Sequence, residues 1–127
     1  MNSFLTKLKH KWDEGKFVCV GLDSDTSKIP QGLSQLDFNK KIIDATAGIV
    51  CCYKPNSAFY EAEGPKGLET LAQTVQYIHE KYPDIPVLLD AKRGDIGNTN
   101  NGYVKAIFDT LGLDAVTVSP YLGKESL

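Results

Sequence analysis

The chain has 127 residues, 42% hydrophobic and 24% charged, with a formal net charge of −2. That length supports one domain with a sizeable core. No Lys/Arg run exceeds two residues, which argues against a nucleic-acid partner recruited by bulk charge, and the longest apolar runs, about six residues, are too short to cross a bilayer.

In chain order, short apolar runs alternate with longer amphipathic ones. Ser3 is placed to cap a first helix with Phe4, Leu5, Leu8 and Trp12 on one face, ending at Gly15. "FVCVGL" (17–22) reads as a strand. Asp37 is placed to cap a second helix through Ile42 and Ile43 to about Ala47. "GIVCCY" (48–53) is the second strand. From Gly67 to Tyr82, Leu68, Leu71, Ala72, Val75 and Ile78 recur at helical spacing, and Pro83 ends the run. "PVLLD" (86–90) is the third strand. Thr99 opens a fourth helix with Tyr103, Ile107 and Leu111 stacked and Gly112 at its end, and "DAVTVS" (114–119) is the fourth strand. Nearly continuous apolar strands separated by helices indicate a parallel α/β fold covered on both faces.

Two architectures fit: a doubly wound sheet, or about the first four βα units of a (β/α)8 barrel, which needs about 250 residues. Every strand finishes in a polar residue: Asp23, Lys54, Asp90 with Lys92, and Ser119. In a barrel the C-terminal strand ends ring one mouth, whereas a doubly wound sheet places its ligand at a single switch point. No GxGxxG or GxxxxGK[ST] motif is present. The four polar ends favour the barrel. The chain stops at "YLGKESL", just past the fourth strand, and reads as residues 1–127 of a longer single TIM-barrel domain, its N-terminal half, with no internal boundary.

The stretch "PVLLDAKRGDIGNT" (86–99) crowds Asp90, Lys92, Arg93 and Asp95 onto the end of a buried strand. Side chains two apart on a strand share a face, so Asp90 and Lys92 point into the lumen while Leu89 and Ala91 point at the helices. Phased alike are Cys52 and Lys54, Gly21 and Asp23, and Thr117 and Ser119. Lys54, Asp90, Lys92 and Asp95 form an alternating set in which each lysine lies near a carboxylate, keeping all four ionised. Such a set concentrates negative potential beside an ammonium, which suits a reaction where a carboxylate leaves and a proton replaces it. The plainer alternative is a solvated turn with incidental ion pairs. The polar ends of the other three strands weigh against it.

Asp90, Lys92, Asp95, Ile96 and Thr99 match the DxKxxDI motif, with a threonine three further on, of the orotidine 5'-phosphate decarboxylase family. "GLDSD" (21–25), "YKPNSAFYE" (53–61), "KRGDIGNT" (92–99) and "VTVSPYLG" (116–123) resemble its longer bacterial branch. The resemblance implies a TIM barrel, a homodimer, orotidine 5'-monophosphate as the small-molecule substrate, and no metal or other cofactor. It implies that Lys92 donates a proton to C6, that Asp90 sits against the substrate carboxylate, and that Lys54 and Asp95 complete the network. Asp23 and Lys54 would bind ribose hydroxyls, Ile96 would wall the leaving-carboxylate pocket, and Ser119 would contact the base. Asp95 and Thr99 would act across the dimer interface. The family's phosphate grip comes from later loops, so little activity is expected of these 127 residues alone.

Three alternatives stand beside this reading. One is a Mg²⁺-dependent phosphosugar decarboxylase or synthase of the same barrel group. Another is a Schiff-base aldolase using Lys54 or Lys92, disfavoured because flanking carboxylates keep a lysine protonated. The last is a half-barrel assembly module without turnover. The N-terminus lacks a secretory h-region, so a cytoplasmic location is expected. Cys19, Cys51 and Cys52 read as small buried hydrophobes. Lys7, Lys9 and Lys11 read as a solvated helix face, His10 and His79 as solvated, and Trp12 and Tyr103 as packing residues. Arg93 is expected to pair with an aspartate of its own turn or of a neighbour, and Glu61 and Glu63 have no assigned role.

Overall fold

The computed structural model describes residues 3–127. Ser3 accepts the Thr6 amide and opens α1 (Phe4–Asp13) as expected, and β1 (Val18–Gly21) follows. The second helix, α2 (Gln35–Thr46), is capped by Ser34 and not by Asp37. Ser34 Oγ accepts the Asp37 amide at 3.1 Å and donates to the Asp37 carboxylate at 2.6 Å, a reciprocal pairing that places Asp37 in the first turn. After β2 (Val50–Lys54) comes a four-residue helix, α3 (Ala58–Glu61), for which the sequence carries no periodic signal. The long helix α4 (Gly64–Lys81) starts three residues before Gly67 because Pro65 sits in its first turn, where a missing N–H is no loss. Then β3 (Leu88–Arg93) runs three residues past Asp90. The next helix, α5 (Asn98–Val104), loosens into a π-helical turn over Lys105–Thr110 before β4 (Ala115–Val118). The uniform helix expected from Thr99 is therefore corrected.

All strand pairs are parallel. β1 pairs with β2 and β3 with β4, while Tyr53 bridges to Val87 and Asn56 to Asp90. The β2–β3 seam holds only scattered bonds, among them Tyr53 N–H to Pro86 O at 3.1 Å and Asp90 N–H to Pro55 O at 2.9 Å. Pro55 and Pro86 have no N–H to give, so the ladder breaks there. The order β1-β2-β3-β4 has no reversal. It is that of four consecutive units of a (β/α)8 barrel, not of a doubly wound sheet.

The core lies between the strands and the helices that follow them. Val50, Tyr53, Val87 and Leu89 pack against Ile43, Leu71, Val75 and Ile78, all buried. Truncating one of these to alanine would cost about 2–5 kcal/mol. A polar string threads the layer. Tyr60 Oη donates to Leu22 O at 2.7 Å and accepts from Asn39 Nδ2 at 3.0 Å, and Asn39 also reaches Thr74 Oγ1. These bonds tie α2, α3 and α4 to the end of β1 and hold the strand ends in place.

Several surface expectations need correction. Lys11 is buried, held by Asp84 and Glu14, and Lys7 pairs with Asp114 at 3.0 Å. A lysine's aliphatic stem packs well once a carboxylate meets its tip. His79 is half-buried with Nε2 2.9 Å from Asp114, whereas His10 is exposed as expected. Trp12 is 40% exposed, so it is not a core residue. Cys51 and Cys52 are buried, but Cys19 is exposed on the outer strand β1.

Candidate active site

The polar strand ends converge. Asp90 is the hub, its side chain only 14% exposed. Its Oδ1 accepts from Lys92 Nζ at 2.7 Å and from Thr117 Oγ1 at 2.9 Å. Its Oδ2 accepts from Lys54 Nζ at 3.3 Å and from Asn56 Nδ2 at 3.4 Å. The Lys92 bond, the Thr117 hydroxyl and the Lys54 charge, against the opposing effect of burial, hold the Asp90 carboxyl at about 2. It is ionised throughout the neutral range. Asp23, at the end of β1, joins through Asn56, whose amide donates to Asp23 Oδ1 at 3.2 Å.

The backbone around Lys92 is unusual. Lys92 has φ +49°, the one described non-glycine residue on the left-handed side. Such a conformation costs on the order of 1–3 kcal/mol and persists only where its surroundings enforce it. The β3–β4 register shows the cause. Leu88 and Leu89 oppose Ala115 and Val116, but Arg93 opposes Val118, so Asp90, Ala91 and Lys92 share the space opposite Thr117 alone. This bulge bends the chain at Lys92, whose side chain is 67% exposed while its tip meets Asp90. Gly94 follows at φ +144°, and a Cβ there would lie 2.8 Å from Ser119 O, so this turn can close on β4 only with glycine.

Of the expected alternating set, the structure brings together Lys54, Asp90 and Lys92. Asp95 lies outside it within the chain. Its Oδ1 accepts the Ile96 amide at 2.7 Å and its own amide donates to Asn100 Oδ1 at 2.9 Å, with no ion pair among the described residues. Within this chain the ion-pair partner of Lys92 is Asp90. Ile96 is 68% exposed and Thr99 is also exposed. Ser119 is half-buried, its amide donating to Arg93 O at 2.7 Å.

Arg93 pairs with Glu61 of α3, not with an aspartate, and its guanidinium lies over the Tyr103 ring at 5.4 Å. Glu61 thereby gains a role, and Glu63 accepts from Thr26 Oγ1 at 2.7 Å. Sequence reasoning also missed Asn56 and Thr117 as Asp90 partners. A signal existed for each: Asn56 lies two residues past Lys54, and Thr117 two before Ser119, so both share the faces of polar strand ends.

A carboxylate between two ammonium groups, one of them on a strained, outward-facing backbone, can set a negative potential beside a proton donor without reorganising. Comparison with known proteins accords with this. Residues 16–127 match the family model described as "Orotidine 5'-phosphate decarboxylase / HUMPS family". An orotidine 5'-phosphate decarboxylase of Flavobacterium johnsoniae is 55% identical over 87% of this chain and 42% of its own length. One from Dehalococcoides mccartyi is 52% identical over 98% of this chain and 45% of its own. The chain thus spans under half the length of these curated relatives. Among solved structures, the OMP decarboxylase of Leishmania donovani matches with TM-score 0.85 and 35% identity, over 98% of this chain and 47% of that one. The UMP synthase of the same organism matches with TM-score 0.88 and 34% identity, over 99% of this chain and 27% of that one. The motif, the strand order and these likenesses together establish that the chain belongs to the orotidine 5'-phosphate decarboxylase / HUMPS family.

Proposed function

We propose that the protein carrying this chain converts orotidine 5'-monophosphate to uridine 5'-monophosphate, with no metal or organic cofactor. The observation that carries the reading is the Lys54–Asp90–Lys92 chain, in which both Asp90 oxygens are already filled by ammonium, hydroxyl and amide donors. In this reaction the C6–carboxylate bond breaks, CO2 leaves, and the electron pair stays on C6. The Asp90 charge disfavours the substrate carboxylate relative to departing CO2. The Lys92 ammonium stabilises the C6 carbanion and gives it a proton, and solvent reprotonates the amine. Asp23 and Lys54 bind ribose hydroxyls, Ile96 walls the carboxylate pocket, and Ser119 contacts the base. Binding energy from the remote phosphate drives the base against these groups.

The reading extends to a cytoplasmic homodimer in which Asp95 and Thr99 reach the partner's site. The exposure of Ile96 and Thr99, and the lack of an ion pair to Asp95 among the described residues of its own chain, support it. Three free cysteines suit a reducing compartment. No helix of the described residues is long and apolar enough to cross a membrane.

The test is loss of orotidine 5'-monophosphate absorbance, with and without EDTA, on the full-length protein and on this chain alone. Turnover that survives EDTA in the full-length protein supports the proposal. Turnover abolished by EDTA overturns the cofactor-free reading, and no turnover with or without EDTA favours the metal-dependent phosphosugar branch. The short chain is expected to be inactive. For the dimer, mixing Lys92→Ala and Asp95→Ala proteins should restore activity, because each heterodimer holds one intact site. Mixtures as inactive as their components would overturn the shared site.

A further inference from the structure

We infer that Thr117 is a positioning residue for the proposed decarboxylation: its single hydroxyl sets both the backbone of Lys92 and the carboxylate that Lys92 meets. The inference rests on the reading above for its chemistry but on independent geometry for its substance.

A threonine hydroxyl has one proton to give and two lone pairs. Thr117 uses all three. Its oxygen accepts the Ala91 amide at 3.1 Å and the Lys92 amide at 3.0 Å, and it lies 2.9 Å from Asp90 Oδ1. The two amides can only donate and the ionised carboxylate can only accept. The direction of the O–H is therefore fixed toward Asp90. The two amides belong to the bulge, where three residues of β3 face one of β4 and the backbone ladder supplies no partner for them. The Thr117 side chain takes the place of that ladder. It holds Lys92 at its left-handed φ of +49° while the O–H meets the oxygen that receives Lys92 Nζ at 2.7 Å. Thr117 touches no reacting atom in this scheme. It acts through Lys92 and Asp90.

Two substitutions in the full-length protein separate this from simple packing. Thr117→Val keeps the shape and loses the hydroxyl, and Thr117→Ser keeps the hydroxyl and loses a methyl. Removing one fixed donor from a charged site lowers kcat by about 10²–10³ when the donor meets the reacting group directly. For a donor acting through Asp90, kcat in T117V should fall about 10–100-fold with KM within about threefold, and T117S should recover kcat to within about threefold of wild type. The Asp90 carboxyl, followed by 13C NMR, should titrate at higher pH in T117V than in wild type or T117S. A T117V kcat within about threefold of wild type overturns the inference, as does a T117S kcat that falls further than threefold. If T117V does not fold, T117S alone decides by the same threshold. If wild type itself does not turn over orotidine 5'-monophosphate, the functional reading fails, and the Asp90 titration still judges Thr117. A higher titration in T117V supports the positioning, and an unchanged one overturns it.

Discussion

Two aspartates at opposite ends of the strands invite comparison. Asp90 lies at the bulge in the second half of the β3–β4 pairing, and Asp114 lies just before β4 begins. Both side chains are nearly enclosed, at 14% and 13% exposed, and each meets two basic side chains. The difference is in where the basic partners come from. Asp114 takes Lys7 from α1 and His79 from α4, and its Oδ2 also accepts the Val87 amide at 2.8 Å. Burial opposes ionisation there, but the His79, Val87 and Lys7 bonds win and hold its carboxyl below the usual range. The network joins two helices and two strands and ends on backbone, so it is built to hold elements together. Asp90 takes its lysines from the strands themselves, one of them exposed and on a strained backbone. A carboxylate with two basic partners is a clasp at one end of the molecule and a candidate site at the other. What distinguishes them is strain and access, not charge.

The strongest way to break this comparison is to remove one cation at the open end. Lys92→Ala in the full-length protein should lower the proposed decarboxylation by up to about 10⁴-fold, the upper range for a positioned proton donor. Stability should change by under about 1 kcal/mol, because an exposed ion pair contributes little. The substitution also removes the first cause of Asp90's low carboxyl value. In wild type the folded value, about 2, lies below the unfolded value of roughly 3.9. The stability from that group is therefore complete above the unfolded value, falls as pH drops below it, and is gone once pH has passed through about 2. In Lys92→Ala the folded value rises, so this loss should be smaller and complete at higher pH. Acid unfolding followed by circular dichroism checks the direction, and an unshifted acid transition would mean that Lys92 does not hold Asp90 in solution.

At the closed end the expectation is reversed. Asp114→Ala strands Lys7, His79 and the Val87 amide together. Breaking an enclosed ion pair by deleting one partner costs about 3–5 kcal/mol, so a loss of roughly 2–4 kcal/mol is expected at this partly exposed site. Urea unfolding measures it. The fraction that stays folded should keep its kcat within about threefold, since Asp114 lies at the far end of the strands. A stable variant with damaged turnover would reverse the two roles.

How much of this contrast the amino-acid sequence reveals depends on range. The four strands, their parallel order and their polar ends were legible because each follows from local pattern. Lys54, Asp90 and Lys92 were legible because strand periodicity places them on one face. The clasp at Asp114 was not. Lys7 lies 107 residues from Asp114 along the chain and Lys11 lies 73 from Asp84, so both looked like solvent-facing lysines until the fold brought their carboxylates to them. The Thr117 bonds escaped for a related reason. They depend on a bulge, a register slip between two strands that no single strand's pattern records. The π-helical turn at Lys105–Thr110 is likewise a tertiary adjustment. Its sequence, KAIFDT, keeps helical spacing throughout.

The smallest expected effect sharpens the comparison most, because it asks whether the open end has a clasp of its own. Arg93 ends β3, pairs with Glu61 and lies over Tyr103, linking the end of β3 to α3 and α5. The pair is half-exposed on the Arg93 side and more open at Glu61. Such pairs contribute about 0.2–1 kcal/mol, with about 0.5–1 kcal/mol more from a cation above an aromatic face. Arg93→Ala should therefore cost roughly 1–2 kcal/mol and Glu61→Gln under about 1 kcal/mol, with a coupling between them of a few tenths to 1 kcal/mol in a double-mutant cycle. Both should leave kcat within about tenfold, since Thr117, not Arg93, receives the Lys92 amide. If Arg93→Ala instead lowers kcat as far as Thr117→Val does while stability barely moves, then the left-handed Lys92 is held from both sides, and the open end is a clasp as well as a site.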